Sequence, residues 1–222
     1  GFEALARWDH PDLGPISPVD FIPVAEESGL IVPLGRWALE ETAKTIARWD
    51  NRLGAQHAFR VSVNMSAVQM QRDDVVDAVA SALKGANVDG NRITIELTES
   101  AFINDPAGTK TLLDALKGLD TNLAMDDFGT GYSSLAYLQE LSVDFIKIDK
   151  VFVDAIETVE GNALCRSIVD LAHALNLEVI AEGVETAQQV DELKRIGCEY
   201  GQGYFYSKPL SKTDFMKLLE AK

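Results

Sequence analysis

The sequence predicts an α/β fold assembled from parallel βαβ units, and three observations carry that expectation. Short β-branched or apolar runs alternate with longer amphipathic stretches along nearly the whole chain. No linker or low-complexity segment interrupts the alternation, so a single domain over residues 1–222 is expected. Strand-like runs also end on polar or charged residues, where parallel α/β folds place their chemistry. Seven strands can be counted. A (β/α)8 barrel has eight, in typically about 250 residues. A seven-stranded doubly wound sheet stays open as the alternative, although no GxGxxG follows the first strand.

The elements follow in order. Phe2 to Trp8 reads as the first strand, and Asp9 to Pro15 as loop. Ser17-Pro18 is a helix start, an N-cap followed by proline in the first turn, for a helix reaching Gly29. A longer amphipathic helix runs from about Leu34 to Leu53, with Trp37 and Trp49 read as packing residues. In Phe59 to Met65, Val61 and Val63 alternate with Ser62 and Asn64, as in a half-buried strand. Ser66 with Gln69 forms a capping box for a helix through Val75, Val79 and Leu83. Ile93 to Leu97 is a strand and Pro106 to Leu119 a helix. The strand Leu123 to Asp127 leads into a glycine-containing loop and a short helix, Ser134 to Glu140. Next come a strand, Phe145 to Ile148, and a helix, Asn162 to Leu175. A strand from Glu178 to Ala181 precedes a helix capped by Thr186 with Gln189 that reaches Ile196. Gly201 to Phe205 is the last strand and Asp214 to Leu219 the last helix.

Composition narrows the function classes. The 222 residues are 46% hydrophobic, enough for a real core, and the formal net charge is −15. That charge argues against a nucleic-acid groove, which needs a basic face. It does not exclude a phosphorylated small molecule if cations reverse the sign locally. Two isolated cysteines, Cys165 and Cys198, make neither a zinc site nor a disulfide framework. His10, His57 and His173 are scattered and suggest no triad. No apolar run of about 18 residues and no signal peptide is seen, so a cytoplasmic domain, free or fused to a membrane-anchored protein, is expected. The chain opens at Gly1-Phe2-Glu3 already inside an element, as expected of a domain excised from a longer protein.

The strand ends carry Asn64, Glu96, Asp126 with Asp127, Lys147 with Asp149, Glu182 and Gln202. Each has a bland explanation alone: Asn64 as a turn residue, Glu96 at an edge, Lys147 paired with Asp149 on the surface. Asp126 and Asp127 read as a helix cap and a turn acid. One polar group per βα unit is nonetheless what a shared pocket requires. Adjacent strand residues point to opposite faces, so the aspartate pair cannot both face a core. Several carboxylates in one mouth repel unless cations neutralise them. Hard oxygen donors without histidine or cysteine suit Mg²⁺, Mn²⁺ or Ca²⁺. A bridging aspartate flanked by further carboxylates suits two-metal phosphoryl hydrolysis.

These residues carry a resemblance. The chain resembles the EAL domain, the cyclic di-GMP phosphodiesterase family, whose signature stands as Glu3-Ala4-Leu5-Ala6-Arg7-Trp8. Its other motifs follow in order as Asn64-Met65-Ser66, Glu96-Leu97-Thr98-Glu99, the loop Asp126 to Leu135, Lys147-Ile148-Asp149, Ala181-Glu182-Gly183-Val184-Glu185 and Gln202-Gly203-Tyr204. The resemblance implies a modified TIM-like (β/α)8 barrel whose first, antiparallel strand, beside that of Glu3, is missing from this chain. It implies one Mg²⁺ or Mn²⁺ on Glu3, Asn64, Glu96 and Asp126, and a second on Asp126, Asp127 and Glu182, with Ca²⁺ inhibitory. Lys147 would polarise the attacking water, Glu182 would act as general base, and Gln202 would lie near that water. Arg7 would contact a substrate phosphate, with Asp149 and Glu185 supporting the substrate site. Glu99 would anchor the loop from Phe128 to Ser134. The implied reaction converts cyclic di-GMP to linear pGpG. Implied partners are a second copy, through the loop after Asp127, and fused sensory or GGDEF domains. Nucleic acid and direct membrane contact are not expected.

The main rival is a catalytically silent cyclic di-GMP receptor. An enolase-like barrel using Lys147 as a carbon-acid base is a third reading, and a purely interacting module is a fourth.

Overall fold

The computed structural model describes residues 1–54, 59–72, 74–102, 105–129 and 138–220. They fall into two compact units, Gly1–Leu97 with Asp105–Asn122, and Thr98–Asn104 with Leu123–Lys222.

In the first unit, β1 is Phe2–Ala4. A two-stranded antiparallel ribbon follows, β2 Trp8–His10 with β3 Gly14–Ile16. The sequence alone predicts Trp8 in the first strand and Asp9 to Pro15 as loop. A tight hairpin forms instead because Gly14 takes a left-handed φ of 72° and closes a three-residue loop. His10 Nδ1 accepts the Asp12 and Leu13 amides inside that loop, at 3.1 and 3.2 Å.

Helix α1 is Pro18–Ser28, with proline in its first turn as expected, and α2 is Ile31–Leu53. Strand β4 is Val61–Met65, and helices α3, Ala67–Arg72, and α4, Val75–Ala86, come next. The single helix expected after Ser66 is therefore two. Asp74 starts the second by accepting the Asp77 amide at 3.1 Å. Strand β5 is Ile93–Thr98 and α5 is Pro106–Lys117.

Strands β1, β4 and β5 pair in parallel, with Phe2 opposite Val61 and Val61 opposite Ile93. This register and the two-residue strand period sort the side chains. Val61, Val63, Met65, Ile93, Ile95 and Leu97 share one face and are all buried. Glu3, Ser62, Asn64, Thr94 and Glu96 share the other. Leu39, Ala43 and Ile46 of α2, Val79 of α4, and Leu113 and Leu116 of α5 extend the core.

Arg92 ties the start of β5 down. Its guanidinium meets both Asp50 oxygens at 2.8 Å and the Phe59 carbonyl at 2.8 Å. Bidentate, part-buried pairs of this kind are the strong ones. Arg92→Ala is expected to lower unfolding free energy by about 2 kcal/mol in urea titrations. Arg92→Lys should recover only part of that, because an ammonium cannot match the fork.

The second unit holds β6 Asn122–Phe128, whose first residue belongs to the first unit, and β7 Phe145–Ile148. Then come α6 Lys150–Asp154, α7 Val159–Ala174, β8 Glu178–Ala181, α8 Ala187–Ile196, β9 Tyr200–Gly201 and α9 Lys212–Glu220. Strands β6 to β9 pair in parallel in sequence order. Ile146, Ile148, Val179 and Ala181 are buried with Cys165, Val169 and Ala172 of α7. The Thr186–Gln189 capping box forms as read. Helix α7 starts earlier than expected because Thr158 caps it, accepting the Gly161 amide at 3.0 Å. The last strand stops at Gly201 rather than Phe205, because the Tyr206 and Ser207 amides turn back onto the Gly203 carbonyl. The expected helix at Ser134–Glu140 and the loop beyond Gly129 lie largely outside the described residues. Among the described residues, no helix is long and apolar enough to cross a membrane.

Candidate active site

Each unit carries its own set of the residues singled out by sequence. In the first, Glu3, Asn64 and Glu96 lie on the polar face of β1, β4 and β5. Asn64 Nδ2 donates to Glu3 Oε1 at 2.5 Å. Asn64 is opposite Glu96 in the parallel register, and Glu96 is only 2% exposed. Because side chains alternate, placing Asn64 on this face requires Val63 and Met65 to fill the core face, and both do.

Arg7 follows β1, is exposed, and donates to the Ala6 carbonyl at 2.8 Å. It lines a cavity of about 520 Å³ with Trp8, Phe21, Val24, Leu34 and Trp37. Trp8 and Phe21 meet edge to face, with centroids 5.8 Å apart. Trp49 packs on Phe59 as the sequence suggested, but Trp37 is 53% exposed at this cavity. No sequence pattern announces this cavity, because its walls come from the ribbon and two helices.

In the second unit, β6 is irregular. Its register to β7 shifts between Met125 and Phe128, and Asp127 adopts a left-handed φ of 57°. A bulge of this kind re-aims side chains, so the pair escapes the alternation that a regular strand imposes. The Asp127 amide donates to Asp126 Oδ1 at 3.0 Å.

Lys147, the central residue of the set, is 1% exposed. Its ammonium lies 2.6 Å from Glu182 Oε1 and 3.2 Å from Asp126 Oδ1. A buried ammonium needs such partners, since an unpaired charge is costly to desolvate. Lys147 is therefore not the surface partner of Asp149. Asp149 instead caps α6, Oδ1 accepting the Val151 amide at 2.7 Å. Burial pushes the Asp127 carboxyl above its usual range, and the charges of Asp126 and Asp149 add to that.

Backbone bonds hold the Glu182 turn. The Glu182 amide donates to the Ile148 carbonyl at 3.0 Å, and the Val184 amide to the Gln202 carbonyl at 2.9 Å. Glu185 is exposed and pairs with Lys150 at 2.9 Å. No local signal announces that pairing, which spans distant strand ends. Glu99 is 3% exposed, and its Oε2 accepts the Gly129 amide at 3.2 Å. Gly129 is the one glycine of that loop among the described residues.

Asp126, Asp127, Asp149 and Glu182 outnumber the single ammonium among them. These hard oxygens fit a divalent cation in kind. Among the described residues, no three carboxylates, histidines or thiols converge closely enough to hold an ion. Asp126 and Glu182 instead hold Lys147, the cation within their reach.

Comparison with known proteins completes the description. The family model of the EAL domain matches residues 1–209. The cyclic di-GMP phosphodiesterase PdeR of Escherichia coli is 42% identical over 214 residues, covering 96% of this chain and 32% of that protein. The bifunctional diguanylate cyclase/cyclic di-GMP phosphodiesterase MucR of Pseudomonas aeruginosa is 39% identical over 212 residues, covering 95% of this chain and 30% of that protein. A solved structure described as the PaMucR phosphodiesterase in complex with c-di-GMP superimposes with a TM-score of 0.90 at 37% identity. It covers 96% of this chain and 86% of that one. The fold class is that of this solved structure, the α/β TIM-like barrel class. The chain spans about a third of the length of these two curated relatives.

Proposed function

The chain belongs to the EAL-domain family, and from that premise we propose that it is a metal-dependent phosphodiesterase opening one phosphodiester bond of cyclic di-GMP to give linear pGpG. The observation that carries this reading is the buried Lys147 ammonium fixed between Asp126 and Glu182. A rigid cation beside two carboxylates at strand ends is apt for a reaction that develops charge on phosphate oxygens.

In this reading Glu3, Asn64, Glu96 and Asp126 would hold one Mg²⁺ or Mn²⁺, and Asp126, Asp127 and Glu182 would hold the second. Bound there, such ions would offset phosphate charge and acidify the attacking water. Glu182 would accept the water proton as the new P–O bond forms in line with the departing 3′ oxygen; the P–O3′ bond breaks, and the 3′ oxygen takes up a proton from solvent to become the free hydroxyl of pGpG. Lys147 faces the growing negative charge. Gln202, its backbone pinned on both sides of the Glu182 turn, orients the water. Arg7 pairs with a substrate phosphate, and the apolar cavity beside it suits a planar base. Asp149 and Glu185 keep α6 and the Glu182 turn in place, and Glu99 anchors the loop at Gly129.

The same reading includes a cytoplasmic location and fused sensory or GGDEF domains beyond this chain. It also includes a homodimer through the loop after Asp127, most of which lies outside the described residues. The chain is then a single EAL domain of a longer protein.

The test is incubation with cyclic di-GMP and Mg²⁺ or Mn²⁺, followed by chromatography. pGpG should form, and Ca²⁺ should suppress it. Glu3→Ala should abolish turnover while leaving a cooperative thermal melt. Retained turnover in folded Glu3→Ala overturns the ligand assignment. Tight binding without pGpG in the unaltered protein supports the silent-receptor reading instead.

A further inference from the structure

Helix α1 ends against the electrostatic preference of helices. A helix C-terminus carries partial negative charge and favours cations. The last turn of α1 has no basic residue and instead holds Glu26. Its carboxylate is occupied elsewhere in the fold, where Glu26 Oε1 accepts a hydrogen bond from Ser66 Oγ, forty residues away in sequence. Ser66 is the second residue after Asn64. Its Oγ also accepts the Val68 amide at 3.1 Å, and its own amide donates to Gln69 Oε1 at 3.1 Å. Gln69 is buried in turn against Gly35 of α2, where a methyl group would lie 1.8 Å from Gln69 Nε2. The turn that ends β4 is thus clamped from two sides, by the carboxylate of α1 and by the backbone of α2.

We propose that Glu26 is a positioning residue that acts through Ser66 to fix the direction of Asn64. The inference rests on the reading of Asn64 as a metal ligand. Asn64 is exposed at the end of a short strand and is held toward Glu3 by one side-chain bond. Its orientation therefore depends on the backbone that follows it. Charge-assisted hydrogen bonds are the stronger class, and the Glu26 bond joins this turn to α1. Glu26 touches neither substrate nor ion. Its removal lets the Met65–Ser66 peptide relax and leaves Asn64 and Glu3 poorly aligned.

Calorimetric titration with Mn²⁺ alone, beside pGpG assays over a range of Mn²⁺, tests the inference. Glu26→Ala is expected to raise the Mn²⁺ dissociation constant about tenfold, as loss of supporting partners does, with turnover returning as Mn²⁺ is raised. Glu26→Gln keeps an acceptor oxygen and should bind Mn²⁺ much as the unaltered protein does. Ser66→Ala should reproduce the shift, and the double variant should be no worse than either single one, because both remove the same bond. Unchanged Mn²⁺ affinity in folded Glu26→Ala, or additive effects in the double variant, overturns the inference alone. Absence of Mn²⁺ binding by the unaltered protein overturns the metal reading itself and this inference with it.

Discussion

Asp126→Asn is expected to cut pGpG formation by at least about 10³-fold, roughly 4 kcal/mol of lost transition-state stabilisation. The loss should persist at saturating Mg²⁺ or Mn²⁺. Asparagine has the size of aspartate and keeps a carbonyl oxygen, so Lys147 and the Asp127 amide retain an acceptor. What disappears is the negative charge on the proposed bridging oxygen pair. The bulge of β6 and the left-handed Asp127 are backbone features that this exchange leaves alone. The protein should still melt cooperatively, at a temperature lowered by the loss of one of the two counter-charges on buried Lys147. Activity within tenfold of the original in a folded Asp126→Asn protein would remove Asp126 from the bridging role.

The parts of this molecule legible in the sequence are those governed by local rules. Alternation in Phe59–Met65 and the apolar residues on either side of Lys147 in Phe145–Ile148 marked real strands, because side-chain period and β-branching act within a few residues. The Thr186–Gln189 box was legible for the same reason: cap and partner are three residues apart. Trp8 reads as part of the first strand because the apolar residues Ala4, Leu5 and Ala6 lead up to it past Arg7, while the left-handed φ of Gly14 that bends the chain into a ribbon leaves no periodic trace. The β6 bulge was equally hidden. Alternation says that Asp126 and Asp127 diverge, and only the backbone shows a non-glycine residue at positive φ. Polar strand ends singled out Lys147, but its burial and its pairing with Asp126 and Glu182 depend on which strands neighbour one another. Ligand sets and roles came from family resemblance, since spacing alone cannot tell a metal ligand from a helix cap such as Asp149.

Lys147→Met is expected to abolish turnover and to lower unfolding free energy by about 3 kcal/mol in the presence of EDTA, the range for breaking a buried ion pair on one side. Methionine fills the space of the lysine stem, so the loss is one of charge rather than volume. Asp126 and Glu182 then face each other without the ammonium, with Asp127 and Asp149 nearby. Asp127 already has a raised pKa from burial and from the Asp126 and Asp149 charges, and Lys147 acts to lower it. Removing Lys147 pushes it higher still. A carboxyl whose folded pKa exceeds its unfolded value contributes most at low pH and loses that contribution as pH rises. The deficit of the variant should therefore grow as pH rises above the ordinary aspartate range. Mn²⁺ should work in the opposite direction. A ligand that binds only the folded state stabilises it in proportion to its affinity, and no ammonium now competes for the carboxylates. Mn²⁺ should raise the melting temperature of Lys147→Met by at least as much as that of the unaltered protein. A variant as stable as the original in EDTA, or one indifferent to Mn²⁺, would show that Lys147 is not the counter-charge of this site.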